Sequence, residues 1–222
     1  MATQTPPGAS VKPPLDIHQR LRTETRPEHD AIELELDLMQ AALTLVAYRL
    51  RVEQFHGFYA AIEDRLGAQD AFEGPRPGPE RKTPLLVADL LALGVAAPAL
   101  LPRCEALPEL DGPADVLGCL YVLEGATLGG QVIARHLHAT LGIGPSSGAA
   151  FFHGYGDETG ARWRAFAARL AAFGGDEGQQ DAMVRTAIGT FRALRLWCRA
   201  RSAGPLPDGS GAPPPTASPA AA

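Results

Sequence analysis

The stretch "YVLEGATLGGQVIARHL", Tyr121–Leu137, has the spacing of a single helix, yet it holds three glycines: Gly125, Gly129 and Gly130. Each costs roughly 1 kcal/mol against alanine in a helix interior. Gly125 and Gly129 lie four apart on one face, where a neighbouring helix backbone can approach. Gly130 faces about 100° away and adds cost without widening that stripe. The trio therefore predicts a bent helix that offers bare backbone to a broad, flat surface.

Outward from this helix the pattern stays helical. Leu21, Thr25, Ile32 and Leu36 recur at helical spacing, as do Phe55, Phe58, Tyr59, Ile62 and Leu66. "PLLVADLLALG" reads as a short helix closed by Gly94. "ETGARWRAFAARLAAFGG" and "DAMVRTAIGTFRALRLWCRA" supply two more. No strand pattern and no internal repeat is visible. The expectation is an all-α bundle of six to eight helices spanning residues 15–201. Residues 1–14 and 202–222, rich in Pro, Gly, Ser and Ala, are expected to be disordered tails, because they hold too little apolar surface to offset ordering entropy.

Composition narrows the function. The 222 residues carry a formal charge of −5, with no basic footprint for nucleic acid. No apolar run is expected to reach the length of a membrane span, and no signal peptide pattern opens the chain. Cys104, Cys119 and Cys198 are odd in number and lack C-x-x-C spacing, as reduced thiols of a cytoplasmic protein do.

A flat ligand in a helical protein points to haem, which needs an axial ligand. Of the six histidines, His29 belongs to the apolar face set by Leu21, Thr25, Ile32 and Leu36. Glu33 lies one turn on, where its carboxylate can accept from the imidazole's other N–H. Arg22, two turns earlier on that face, is placed to meet a propionate. His56 sits beside the aromatic stripe of the second helix without belonging to it.

"LRTETRPEHDAIE" together with "LYVLEGATLGGQVIARHL" resembles the biliverdin-producing haem oxygenase family, in particular its bacteriophytochrome-associated bacterial members, and "FFHGYGDETGARWRAFAARL" is similar to that branch too. The resemblance implies haem held between a proximal first helix and a bent distal helix. His29 matches the proximal iron ligand and Glu33 its hydrogen-bonding partner. Gly125, Gly129 and Gly130 match the distal glycines that pass over the porphyrin. Arg22 matches a propionate contact and Arg164 is a candidate for another, and Phe191 matches an aromatic position on the pocket wall, with ordinary core packing as its alternative. Lys82 is basic and near the right element but finds no place at the haem. Where animal-type members carry an aspartate, this chain has Ala126, leaving Thr127, Gln131 and backbone groups as polar candidates.

The implied activity is oxidative ring opening of haem to biliverdin, releasing carbon monoxide and ferrous iron. Molecular oxygen is the co-substrate. No nicotinamide or flavin motif is visible, so electrons are expected from an external reductase or ferredoxin. Biliverdin would link the protein indirectly to a bacteriophytochrome. Three rivals stand beside this: a haem carrier or sensor of the same fold, a scaffold that needs the glycines only for packing, and a di-iron carboxylate oxidase. The last requires paired E-x-x-H motifs, and only Glu53–His56 supplies one.

Overall fold

The computed structural model describes residues 16–68 and 81–202, and every regular element in them is helical. The expected tails, residues 1–14 and 202–222, lie outside the described residues except for Ser202. Eight α-helices follow in order: α1 Ile17–Glu24, α2 Arg26–Leu36, α3 Leu45–Gly67, α4 Thr83–Ala92, α5 Pro113–Leu141, α6 Ala150–His153, α7 Thr159–Phe173 and α8 Glu177–Ser202. Two short 3₁₀ turns, Pro98–Leu100 and Gly156–Glu158, fill connections.

Local chemistry sets the boundaries. Asp16 caps α1 by accepting from the Gln19 N–H at 3.0 Å, and Thr44 caps α3 through Ala47 N–H. The single first helix expected from periodicity is in fact two. It breaks at Thr25, because Pro27 has no N–H to give and its ring crowds the preceding turn. Leu21 and Ile32 are buried on either side of the break, so the apolar stripe passes through in phase. As expected, Gly94 follows α4 with φ +84.

α5 is the central element, continuous for 29 residues through all its glycines. Pro113 occupies its first turn, and it stops at Gly142, whose N–H donates to His138 O at 3.0 Å. It packs most extensively along α8. Gly118 makes that approach possible: a Cβ there would stand 2.2 Å from Met183 O. The expectation that no apolar run reaches membrane-spanning length is corrected here. α5 is long and apolar enough to cross a bilayer, and the fold spends that apolarity on its core, where Leu117, Cys119, Val122, Leu123 and Leu137 are buried.

The three cysteines are buried free thiols. Burial pushes the Cys119 and Cys198 thiols up to about 12.

Candidate functional site

α2 and α5 both pack on α8 but scarcely on each other, and a cavity of about 380 Å³ lies between them. That volume falls in the usual range for small-molecule pockets. Most of its lining is apolar, from Ile32, Leu36, Phe55, Val122, Leu128, Ile133 and Leu194 among others. Four of the polar groups that reach it come from α1 and α2: Arg22, Arg26, His29 and Glu33.

The α2 wall is built around His29. Its Nδ1 is buried with no hydrogen-bond partner, 3.6 Å from Asp30 Oδ1 and 3.7 Å from Glu33 Oε2. Both contacts are slightly longer than a hydrogen bond, and a small rotation of the ring closes either one. Two carboxylates on this side favour the tautomer with the proton on Nδ1, which leaves Nε2 with the free lone pair that a metal requires. The histidine, Asp30 and Glu33 form the one cluster of three potential metal-binding side chains among the described residues. Phe191 of α8 meets the imidazole edge-on, with ring centroids 5.6 Å apart and planes at 76°, and so fixes its plane. Arg26 is paired with Asp30 at 2.7 Å, with the Arg26 hydrogen bond holding the Asp30 carboxyl below its usual range. Arg22 lines the cavity without any such pair among the described residues, so its guanidinium is available to an anionic ligand edge.

On the α5 wall the cavity is lined by Gly125, Ala126, Leu128 and Gly129. A Cβ on Gly129 would meet nothing within 4 Å, and one on Gly125 would meet only the Trp163 ring at 3.9 Å. No protein neighbour demands either glycine. Their missing side chains keep space in the cavity.

Gly130 is different, and its assignment to the ligand surface is corrected. It does not line the cavity; a Cβ there would stand 2.8 Å from Phe152 O, so this glycine admits the α6 backbone. Arg164 also lies outside the lining. It is exposed on α7, while Trp163, one position earlier, turns inward with Phe166 and Leu170. The 100° step between neighbours separates the two. Thr127 and Gln131 are committed elsewhere: the threonine hydroxyl donates to Glu124 O at 2.6 Å, and Gln131 Nε2 donates to His153 O at 2.6 Å. Lys82 is buried below α5 and does not reach the cavity. His56, expected beside the aromatic stripe, is buried at 5 % exposure, and burial lowers its pKa. His18 and His136 bond Ala167 O and Gln40 O, respectively.

Several lining residues escaped the sequence reading: Arg26, Tyr59, Tyr121, Phe151, Phe152 and Trp163. Tyr59 belonged to a recognised stripe, but nothing in a helical period says which stripe member borders a void. Phe151 stacks on Phe55 and Phe152 meets it edge-on, a contact between segments almost a hundred residues apart.

A histidine beside two carboxylates on one helix, a helix of bare backbone on the other and an apolar cavity between them form a donor set and a space that fit haem. The sequence model of the family described as heme oxygenase matches residues 87–200. The chain belongs to the heme oxygenase family. It is similar to the heme oxygenase of Xanthomonas campestris pv. campestris (strain 8004), at 39% identity over 90 residues, 40% of this chain and 50% of that one. The match thus spans about half the length of that curated relative. In fold it resembles the Neisseria meningitidis heme oxygenase solved with NO and CO bound, with a TM-score of 0.70 at 20% identity over 85% of this chain and 92% of that one. It also resembles the Leptospira interrogans heme oxygenase, with a TM-score of 0.66 at 16% identity over 84% of this chain and 100% of that one.

Proposed function

We propose that this protein opens haem oxidatively to biliverdin, releasing carbon monoxide and ferrous iron and consuming molecular oxygen and external electrons. The observation that carries this is the contrast between the two walls: His29 offers one nitrogen on α2, while Gly125 and Gly129 hold the facing α5 wall bare. When bound, haem supplies both the iron at which oxygen is activated and the ring that is cut.

The chain's own residues do the rest. His29 Nε2 would hold the iron, and the carboxylates of Asp30 and Glu33 beside Nδ1 favour the tautomer that leaves the Nε2 lone pair free for it. Arg22 takes a porphyrin carboxylate. Phe55, Phe151, Phe152 and Leu194 exclude bulk water from the apolar ring face. The bare backbone at Gly125 and Gly129 would leave room for oxygen at the α5 wall of the cavity. A ligand-free scaffold has no use for two glycines that no neighbour contacts closely.

Electrons come from a separate donor such as a ferredoxin or reductase. Cytoplasmic location and a biliverdin supply to a bacteriophytochrome complete the proposal, supported by the resemblance of the "FFHGYGDETGARW" segment to that branch. The test is aerobic turnover of the haem complex with ascorbate or a ferredoxin system in the presence of catalase. Loss of the Soret band with appearance of biliverdin, carbon monoxide and chelatable ferrous iron supports the proposal. Stable ferrous haem, or pigment that catalase abolishes, overturns it in favour of a carrier.

A further inference from the structure

Below the bare segment of α5 lies a buried ion pair that the haem chemistry leaves unused. Lys82 and Glu124 have side chains only 4% and 7% exposed, with Nζ and Oε1 3.0 Å apart. Lys82 Nζ also donates to the Leu123 carbonyl at 2.9 Å, and the Tyr155 hydroxyl donates to Glu124 Oε2 at 3.3 Å. The backbone N–H of Lys82 donates to Glu63 Oε1 of α3 at 2.6 Å. One residue thus ties α3, the start of α4 and the middle of α5 together.

The tie falls directly before Gly125. Leu123 O carries the ammonium, and Glu124 O carries the Thr127 hydroxyl, so two successive helix carbonyls hold extra donors. Such side-chain donors reshape a helix locally. On its cavity side the segment that follows meets little protein: a Cβ on Gly129 would meet nothing within 4 Å and one on Gly125 only the Trp163 ring at 3.9 Å. At its far end Gly130 is seated against the Phe152 backbone. A bare stretch between two anchors takes its height over the cavity from those anchors.

We propose that Lys82 and Glu124 are positioning residues: together they set how closely the Gly125–Gly129 backbone approaches a haem held by His29. Stability alone gives no reason for the pair, because a buried ion pair is often replaceable by apolar residues of similar volume without loss. Placement is what such a replacement forfeits.

The proposal rests on haem binding at His29 but not on turnover, and its test uses spectra of the reconstituted full chain. The variant K82M/E124M removes both charges at once and leaves neither ion stranded. It is expected to fold with a thermal midpoint near that of the wild type and to bind haem. Its ferric acid–alkaline transition should move by about one pH unit, the scale on which local environment shifts a titration. The CO stretching band of its ferrous complex should broaden or split as the α5 wall loses its fixed height. A folded, haem-loaded double variant with wild-type transition and CO band overturns the proposal. So does a double variant that fails to fold, which makes the pair a folding device. Wild-type protein that binds haem without opening it fails the oxygenase reading alone and leaves these spectra interpretable.

Discussion

Gly129 and Gly130 are chain neighbours with opposite surroundings. A Cβ on Gly129 meets nothing within 4 Å, whereas one on Gly130 stands 2.8 Å from Phe152 O. The first glycine keeps the cavity open, and the second lets two backbones meet. Substitution separates them. Gly129→Leu gains helix propensity, worth up to about 1 kcal/mol, but fills the haem side of α5. Stability should rise while turnover falls more than about tenfold, equivalent to at least about 1.4 kcal/mol on the barrier. Gly130→Ala should lose about 1–3 kcal/mol through overpacking. Thermal melts and single-turnover rates of both variants check the contrast; a destabilised Gly129→Leu or an unaffected Gly130→Ala contradicts it.

His29→Ala removes the one histidine that lines the cavity. The side chain is 45% exposed, so the fold should survive with little change in melting temperature. Haem should then bind loosely, lose the wild-type ferrous spectrum and show almost no turnover. Added imidazole fits the vacated space and should restore part of the rate. A variant with unchanged spectrum and rate would place the ligand elsewhere.

Asp89 carries a pH dependence through α6. Both its oxygens accept backbone N–H bonds, from Ala150 at 2.7 Å and Phe151 at 2.8 Å. Burial raises its pKa above the usual carboxyl value, and the two N–H donors only partly oppose this. The sign follows from proton binding: between the unfolded and the folded pKa the native state binds more protons. Asp89's contribution to stability therefore falls as pH rises through that window, which opens at about 3.9, and is constant above it. Asp89→Asn removes this dependence but points an amide N–H at one backbone donor, costing about 1–3 kcal/mol. Urea melts of both proteins across the acid range check this; parallel curves would show that Asp89 does not titrate in the window.

The sequence carried the helical period well, because burial imposes that period directly. Leu21 and Ile32 kept it in phase across the break at Thr25, and so the break itself was hidden; Pro27 was its only local sign. His29, Glu33 and Arg22 share one face by spacing, and all three border the cavity. Gly130 and Arg164 were misplaced for a common reason. Each sits about 100° from a residue that does line the cavity, Gly129 and Trp163, and motif similarity carries no such angle. Lys82 could not be read at all. A lysine in "ERKTP" looks like a solvated loop charge, and its partners Glu63, Leu123 and Glu124 come from α3 and α5, far away in sequence.

Phe191 supplies the last prediction. It borders the cavity, is partly buried and holds the plane of the His29 ring from α8. Truncation to alanine removes apolar contact to the haem and frees the imidazole to turn. Full burial of such a side chain is worth about 1.5–3 kcal/mol, and a partly buried one should contribute about half of that. Haem affinity of Phe191→Ala should accordingly fall about four- to twelvefold, since about 1.4 kcal/mol is one decade. Phe191→Leu keeps most of the apolar contact but not the edge-on ring geometry. It should bind haem nearly as tightly as the wild type while its ferrous spectrum broadens, because the imidazole samples more orientations. Haem titration together with low-temperature absorption of the two variants separates contact from orientation. If both variants match the wild type in affinity and spectrum, Phe191 is ordinary packing between α2 and α8.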